Sequence, residues 1–328
     1  MLQLVQRFPT QLAEADALGH ALRLDAKYRP IRSVHVLGMG GSAFSGALLQ
    51  NYGHSFLDVP LQVHRDYVIP RCIDANALCL VCSYSGNTEE TLSAAGFALD
   101  QGAMLVAFSS GGKLQALAAE QDFAHVALPP GLPPRAAFGY SFILQLHVLQ
   151  RLRLLDDFSA ELVDALEVIQ DFDAHEEARA LAQAITGRLP VIYCGAALEA
   201  TSIRLQQQIN ENAKQLCLRH IVPEMNHNEL VGWELPEAII AQASVLLLRS
   251  SFEYPRNSVR LEICKDLWRK KGAPIHEIHG RGKYKLAHLL YLIHYCDWFS
   301  VYLAEANGVE ATPVRVIDYL KTELEKIQ

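Results

Sequence analysis

The sequence lacks an excess of basic residues, a long apolar run free of charge and a dense cysteine framework. Its 328 residues carry 29 Lys plus Arg against 36 Asp plus Glu, which gives a formal net charge of -7 at pH 7. This balance disfavours binding of a nucleic acid over a broad basic face, but it is compatible with a local anion pocket. Because 50% of the residues are apolar and only 20% are charged, the composition excludes disordered, collagen-like and coiled-coil proteins.

The sequence indicates neither a membrane span nor a signal peptide. The longest apolar stretch near the C-terminus, residues 287–304, contains His288, His294 and Asp297 and is therefore typical of a buried helix. Residues 1–10 lack a charged region that is followed by a long apolar run. We expect a cytoplasmic protein with no membrane partner.

The seven cysteines are odd in number and scattered, and a chain of this length needs no disulfides, so we expect reduced core thiols. Cys79 and Cys82 have the spacing of a metal or redox pair. However, they lie in an apolar run, where residues three apart point to opposite faces of a strand. His276 and His279 alternate faces in the same way. The sequence also lacks a His-Glu-x-x-His motif, so we expect no metal and no redox cofactor.

Short apolar runs alternate with helical patterns, which predicts parallel strands with crossover helices. Strands of the first half are predicted at 33–38, 78–81, 104–108 and 123–128. Strands of the second half follow in the same order at 189–194, 244–249 and 272–278. Helices are predicted at about 11–27 and at 43–52, 88–101, 113–119, 142–155, 160–169 and 174–185. This pseudo-repeat predicts two similar α/β domains, residues 1–152 and 153–328, each with a mostly parallel sheet flanked by helices.

A glycine-rich turn, Gly38-Met-Gly-Gly-Ser42, lies between a predicted strand and a predicted helix. At such a turn the backbone can approach a ligand, and the unpaired amides of the helix favour an anion. With Ala43 the turn also satisfies the loose dinucleotide pattern, but no acidic residue clearly supplies the ribose contact after the next strand. A tight turn without a ligand is the third possibility.

Residues 83–91 (Ser-Tyr-Ser-Gly-Asn-Thr-Glu-Glu-Thr) follow another strand and bring four serine and threonine hydroxyls to a helix start. Backbone amides, hydroxyls and the helix dipole can together bind a phosphate monoester without lysines. The alternative is a simple N-cap, with Ser85 or Asn87 capping and Glu89 or Glu90 in the first turn. Because capping needs one hydroxyl rather than four, the pattern favours phosphate binding.

Residues 83–91 and the turn that ends at Ser42 resemble the sugar isomerase (SIS) domain, whose members bind phosphosugars. Residues 210–214 (Asn-Glu-Asn-Ala-Lys) and 224–233 (Glu-Met-Asn-His-Asn-Glu-Leu-Val-Gly-Trp) resemble signatures of the bifunctional phosphoglucose/phosphomannose isomerase family, which carries two such domains. The resemblance spans essentially the whole chain. It implies two SIS-type domains, an aldose-ketose isomerase without cofactors, and a homodimer whose sites are completed across subunits.

The resemblance also implies which residues bind the phosphosugar. The residues that hold the 6-phosphate are Ser83, Ser85 and Thr88, and those that line the sugar are Gly41 and Ser42.

Four further residues receive catalytic roles from the resemblance. Glu211 corresponds to the base that moves a proton between C1 and C2. His227 corresponds to the ring-opening group, which reaches the site from the partner subunit, and Lys321 aligns with a lysine assigned to the same step. Arg135 matches an arginine that stabilises the enediolate. An enediol mechanism needs such groups: a carboxylate base, an acid-base pair and a cation near the developing oxyanion.

Other interpretations remain open at this point. Glu211 and Lys214 are three apart on a predicted helix and can form a surface pair, while Arg135 and Lys321 can be solvated charges. The phosphate-binding pattern does not report sugar length, so another phosphosugar is an alternative substrate. A non-catalytic phosphosugar-sensing regulator is a further alternative, although residues 1–30 offer one helix and no basic cluster.

A shared planar enediol would allow glucose 6-phosphate and mannose 6-phosphate both to yield fructose 6-phosphate.

Overall fold

The computed structural model describes residues 1–24, 30–324 and 326–327. The chain divides into two compact units, each of which contains a parallel sheet flanked by helices, so the predicted fold class is confirmed. The N-terminal unit comprises 6–170 and 283–286, and the C-terminal unit comprises 1–5, 171–282 and 287–328. The domain boundary predicted between residues 152 and 153 falls just after a helix that ends at Arg151, and it stays a prediction.

The sheet of the N-terminal unit has five parallel strands. They are β1 (Ser33–Gly38), β2 (Leu61–His64), β3 (Ala77–Cys82), β4 (Met104–Ser109) and β5 (Ala124–Ala127). Their order is β2-β1-β3-β4-β5, and β3 is buried at every residue because helices cover both faces of the sheet. The chain reverses its direction of growth between β1 and β3. The loops after these two strands therefore flank the switch point, where parallel sheets bind their ligands.

Seven helices belong to the first half of the described chain. They are α1 (Leu2–Gln6), α2 (Phe8–Ala21), α3 (Gly40–Gly53), α4 (Glu89–Asp100), α5 (Gly112–Glu120), α6 (Phe138–Arg151) and α7 (Ser159–Gln170). Helix α6 begins four residues before its predicted start and is buried from Phe138 to Leu149. The helix predicted at 11–27 begins earlier, at Phe8, and ends at Ala21; its predicted residues 25–27 lie outside the described residues.

The C-terminal unit repeats the arrangement with four parallel strands. They are β6 (Leu189–Gly195), β7 (Leu218–Val222), β8 (Ala243–Arg249) and β9 (Ile275–His279). Their order is β7-β6-β8-β9, so β6 and β8 correspond to β1 and β3 and again flank a switch point. Helices of this half are α8 (His175–Ile185), α9 (Glu199–Ala213), α10 (Glu229–Gly232), α11 (Glu237–Ile240), α12 (Pro255–Lys270), α13 (Lys285–Ala306) and α14 (Arg315–Leu324). In the core, Tyr193 stacks on Trp268 with ring centroids 4.6 Å apart.

The structure confirms the predicted buried helix near the C-terminus, but the prediction of buried cysteines fails at one position. The stretch 287–304 is buried almost throughout within α13, and none of the helices in the described residues is long and apolar enough to cross a membrane. All seven cysteines are free thiols, and six are buried, including Cys79 and Cys82. The expectation of core thiols is wrong for Cys72, which is exposed because it lies in a polar turn next to Arg71 rather than in an apolar run.

Candidate active site

The hydroxyl loop, residues 83–88, connects the buried end of β3 to the start of α4. Ser83 Oγ and Thr88 Oγ1 lie 2.8 Å apart, and the backbone N–H of Thr88 donates to Ser83 Oγ at 3.4 Å. Ser85 Oγ accepts the backbone N–H of Asn87 at 3.2 Å. Because Ser83 is buried, Thr88 half-buried and Ser85 exposed, the three predicted phosphate ligands extend from the sheet edge towards solvent.

The N-cap of α4 favours the phosphate interpretation over simple capping. The N-cap residue is Thr88, and in the described structure its side chain makes no capping hydrogen bond. Asn87 Oδ1 instead accepts the backbone N–H of Lys113, at the start of α5. The first-turn amides of α4 therefore retain donors for an anion.

Gly86 lets the hydroxyl loop pack against the loop before α5. Its φ is +70°, and a Cβ at this position would lie 1.8 Å from the carbonyl oxygen of Gly111. Only glycine fits such a close backbone approach. The backbone N–H of Leu114 also donates to the Gly86 carbonyl at 2.9 Å, so the loop is held in one conformation.

The glycine-rich turn lies beside the hydroxyl loop and against Arg135. Ser42 is buried, and its Oγ accepts the backbone N–H of Tyr84 at 3.2 Å. A Cβ on Gly41 would lie 2.9 Å from the carbonyl oxygen of Pro134 and 3.0 Å from Arg135 Cα. The structure thus brings the turn, the hydroxyl loop and Arg135 together at the switch point of the N-terminal unit.

Arg135 is not a solvated linker residue. It lies in the short 3₁₀ turn Pro134–Ala136 and is only 7% exposed. Gln11 of α2 fixes this turn, because its side chain donates to the Ala136 carbonyl at 2.8 Å and accepts the backbone N–H of Gly139 at 2.9 Å. The structure thus holds a buried arginine, with its backbone against the glycine-rich turn, at the place where an oxyanion-stabilising cation is predicted.

Tyr84 is a site residue to which the sequence analysis gave no role. Its hydroxyl donates to the Pro129 carbonyl at 2.7 Å and accepts the backbone N–H of Leu132 at 2.9 Å. Burial raises the pKa of this phenol, and the hydrogen bond from Leu132 acts in the opposite direction. Tyr84 thereby ties the hydroxyl loop to the proline-rich loop that carries Arg135. The position of Tyr84 between Ser83 and Ser85 was the sequence feature that could have indicated a role in the site.

In the C-terminal unit, Glu211 lies in the last turn and a half of α9. That helix is held to α13 by buried polar contacts. Arg204 donates to both carboxylate oxygens of Asp297 at 2.9 and 2.7 Å, and Gln208 donates to the same carboxylate at 2.8 Å. Asn212 Nδ2 also donates to Ser300 Oγ at 2.9 Å. This buried network fixes the helix that carries Glu211.

Glu211 borders a groove of about 820 Å³, here called the Glu211 groove. The residues that line it are Asn210, Glu211, Lys214, Gln215, Leu216, Val309, Glu310, Pro313, Val314, Arg315, Val316 and Ile317. Lys214 adopts a left-handed conformation at the end of α9, with φ of +54°, and its Nζ donates to the backbone carbonyl of Glu211. A carboxylate at the wall of a largely apolar groove is suitably placed for a base.

His227 lies in a different part of the same unit, on the His227 segment, residues 224–233. The segment starts with a 3₁₀ turn, Glu224–His227, and continues into α10. His227 is exposed, whereas Met225, two residues earlier, is fully buried. Asn228 caps α10 by accepting the backbone N–H of Glu229, and it also donates to Glu224 Oε1 at 2.8 Å.

Glu229 anchors the His227 segment to the sheet, which the sequence analysis did not anticipate. Tyr193 of β6 donates a short hydrogen bond to Glu229 Oε1, and His220 Nδ1 of β7 lies 2.6 Å from Oε2. Trp233 Nε1 donates to the Tyr193 hydroxyl at 2.9 Å. Burial, and then the charge of Glu229, raise the pKa of Tyr193, which keeps this phenol as a hydrogen-bond donor.

Lys321 lies on α14, where it is exposed. The start of this helix, at Arg315 to Ile317, lines the Glu211 groove, but Lys321 does not line it. The structure therefore places Lys321 on the same helix as part of the groove wall without bringing it to Glu211.

The fold and the site of the N-terminal unit define a class: α/β chains of the SIS type, in which a hydroxyl-lined loop lies at the switch point of a parallel sheet. The family model of the bacterial phospho-glucose isomerase C-terminal SIS domain matches residues 174–324. The C-terminal domain of glucosamine-fructose-6-phosphate aminotransferase from Francisella tularensis has the same fold. It covers 95% of this chain and 96% of its own, with a TM-score of 0.73 at 14% identity.

Sequence relatives specify the family. A bifunctional phosphoglucose/phosphomannose isomerase of Caldicellulosiruptor bescii is 35% identical over 338 residues, which cover all of both chains. The enzyme of the same name from Aquifex aeolicus is 34% identical over 300 residues, 90% of this chain and 92% of the relative. The chain belongs to the bifunctional phosphoglucose/phosphomannose isomerase family, so the resemblance noted in the sequence is confirmed.

Proposed function

We propose that this protein interconverts glucose 6-phosphate and mannose 6-phosphate with fructose 6-phosphate through a cis-enediol. The observation that carries the proposal is the hydroxyl loop at the switch point of the N-terminal unit, joined through Ser42 and Gly41 to the buried Arg135. Family membership over the full chain supports the reaction type.

The hydroxyl loop binds the 6-phosphate. Ser83, Ser85 and Thr88 offer hydroxyls, and the first turn of α4 offers backbone amides and the positive end of its dipole. Gly41 and Ser42 line the sugar. Their turn lies beside the hydroxyl loop through the Ser42–Tyr84 hydrogen bond, and Gly41 packs against the Arg135 turn. A neutral set of donors binds the phosphate without a lysine.

Glu211 is the base that moves a proton between C1 and C2. Its helix is fixed by the Arg204–Asp297 pair, and fixed geometry is what proton transfer requires. Arg135 stabilises the charge that develops on the enediolate oxygen. His227 and Lys321 open the cyclic sugar. These groups supply the acid, the base and the cation, so we propose a reaction that needs neither metal nor cofactor.

The decisive experiment measures conversion of both aldose phosphates by the purified protein in the presence of a chelator. Turnover of glucose 6-phosphate and mannose 6-phosphate to fructose 6-phosphate is expected. A panel of pentose and heptose phosphates is measured in parallel. Turnover only within that panel would reassign the substrate, and binding of phosphosugars without any turnover would indicate a sensor.

We also propose a cytoplasmic homodimer in which His227 completes the site of the partner subunit. Large apolar side chains are exposed around the His227 segment, where Val231 is 73% and Leu235 is 74% exposed. Helix α14 exposes Val316, Tyr319 and Leu320 at 82%, 66% and 58%. Exposed apolar side chains grouped in this way are typical of protein–protein contacts.

Mixing two inactive variants tests whether His227 acts across subunits. Glu211→Gln and His227→Ala chains are each expected to be inactive alone. After denaturation and refolding together, half of the dimers are mixed, and one of the two sites in each has both native groups. About a quarter of wild-type activity should therefore return. Activity that stays at the level of the separate variants would show that both groups act within one chain.

A further inference from the structure

Helices α2 and α6 of the N-terminal unit bring two imidazoles and a carboxylate together, away from the hydroxyl loop. His147 Nε2 lies 2.8 Å from Asp16 Oδ1, and His20 Nε2 lies 3.6 Å from Asp16 Oδ2. The three ligand atoms all lie within 4.8 Å of one another. Each oxygen of one carboxylate therefore faces the Nε2 of a different histidine.

The sequence explains how the helices build this cluster. Asp16 and His20 are four residues apart on α2, so their side chains share one face of the helix. His147 reaches them from α6, 131 residues further along the chain than Asp16. Gly19 permits the close approach, because a Cβ there would lie 2.0 Å from the His147 ring.

We propose that Asp16, His20 and His147 form a binding site for Zn²⁺ or a similar divalent transition metal. Two imidazole nitrogens and one carboxylate oxygen are a donor set that zinc uses, at about 2.0–2.2 Å per bond. Ligand atoms around a tetrahedral ion at that distance lie about 3.3 Å apart. The 2.8 and 3.6 Å distances run to different oxygens of Asp16. One ligand atom from each residue lies within 4.8 Å of the other two, so small rotations of Asp16 and of the exposed His20 would bring the three atoms to this separation.

The burial of the cluster differs between its members. His147 is 3% exposed, so one imidazole is held inside the packing of α2 against α6, whereas His20 is exposed. The guanidinium of Arg151 donates to the backbone carbonyls of Gly19 and His20, at 3.3 and 2.7 Å, and so fixes the end of α2 that carries His20.

The position of the cluster gives the metal a structural role rather than a catalytic one. His147 lies nine residues, or about 14 Å, along α6 from Phe138, the first residue of that helix and two residues after the Arg135 turn ends at Ala136. A metal at the cluster would cross-link α2 to α6, and α2 also holds the Arg135 turn through Gln11. It would therefore stabilise the N-terminal unit without taking part in the isomerase reaction.

The test is metal binding by the full chain after treatment with a chelator and its removal. A Cys72→Ser background is used, because the exposed Cys72 thiol is an alternative zinc ligand. Calorimetry with Zn²⁺ should show one saturable site per chain. Saturating Zn²⁺ should raise the melting temperature by about 5 °C. Co²⁺ loading should give the visible spectrum of a low-coordinate nitrogen and oxygen site.

Two variants of the cluster and one matched control decide the outcome. His20→Ala and Asp16→Asn should each weaken Zn²⁺ binding by at least about tenfold. His20 is exposed, so its removal leaves the fold intact, and the control His54→Ala removes another exposed histidine outside the cluster. Absence of saturable binding to the parent chain would overturn the proposal. Cluster variants that bind Zn²⁺ as tightly as His54→Ala would overturn it as well.

Discussion

Both units have a switch point between corresponding strands, but the side chains at the two switch points differ. In the N-terminal unit, the loops after β1 and β3 present neutral hydroxyls and backbone amides. In the C-terminal unit, the corresponding loops after β6 and β8 hold the carboxylate of Glu253. This side chain is buried and accepts a hydrogen bond from Ser258 at 2.9 Å. It packs against Gly195, where an added Cβ would lie 3.5 Å from Glu253 Cγ.

This difference supports the proposal that the two units have different roles. The second switch point holds a buried carboxylate that lies 3.6 Å from Arg249 Nε, whereas the first offers the hydroxyls and backbone amides that suit a phosphate. The proposed catalytic residues Glu211 and His227 lie in the C-terminal unit, on α9 and on the segment after β7. We infer that phosphate binding belongs to the N-terminal unit and proton transfer to the C-terminal unit.

The largest effect should come from Glu211→Gln. The amide cannot accept the proton, so kcat should fall by about 100-fold or more, while KM changes little because the phosphate contacts are intact. Steady-state kinetics with glucose 6-phosphate checks this. Glu237→Gln, an exposed position on α11, is the matched control. A kcat within a few-fold of wild type would remove Glu211 from the base role.

Substitutions in the hydroxyl loop should change KM more than kcat, which is the reverse of the effect of Glu211→Gln. Ser83→Ala together with Ser85→Ala should raise KM, because each lost hydroxyl removes about 1 kcal/mol of anion binding, or about fivefold in affinity. The change in kcat should be smaller than the change in KM. Ser93→Ala, on the same helix α4 but outside the loop, should behave as wild type. An unchanged KM in the double variant would contradict phosphate binding by this loop.

The smallest effect concerns Glu253. Burial raises its pKa, so its contribution to stability is greatest below the unfolded pKa of about 4.3 and is lost as pH rises through the folded value. Glu253→Gln does not titrate. Its melting temperature relative to wild type should therefore increase between about pH 4 and about pH 7.

Glu262 supplies a control of opposite sign. Hydrogen bonds from Lys265 and then Arg249 lower the pKa of Glu262, so its contribution to stability is present above the unfolded pKa and is lost as pH falls. The melting temperature of Glu262→Gln relative to wild type should decrease over the same pH rise. Parallel trends for the two variants would contradict the assignment of a buried carboxyl with a raised pKa at Glu253.

Much of the fold could be predicted because the central strands are continuous apolar runs. Strands β1, β3 and β8 are buried along nearly their whole length and match the predicted strands. The edge strands β2 and β7 were not predicted. Three of the four residues of β2 and four of the five residues of β7 are exposed or half-buried, so neither forms a continuous apolar run.

The residues of the candidate site also differ in how far the sequence could predict them. Ser83, Ser85 and Thr88 lie within six residues, so one local motif indicated the phosphate loop. Gly41 and Arg135 were assigned to the site only through the family resemblance, and their contact was not predicted because tertiary packing sets it. The carboxylate of Glu253 and the Asp16–His20–His147 cluster also depend on packing, and the sequence analysis predicted neither.

One measurement tests the division of labour between the units most directly. Fructose 6-phosphate is titrated calorimetrically into the Glu211→Gln protein, which binds the sugar without turning it over. We expect one site per chain, weakened about 25-fold when Ser83→Ala and Ser85→Ala are added. Two sites per chain, or affinity unchanged by the serine substitutions, would contradict the assignment of phosphate binding to the N-terminal unit alone.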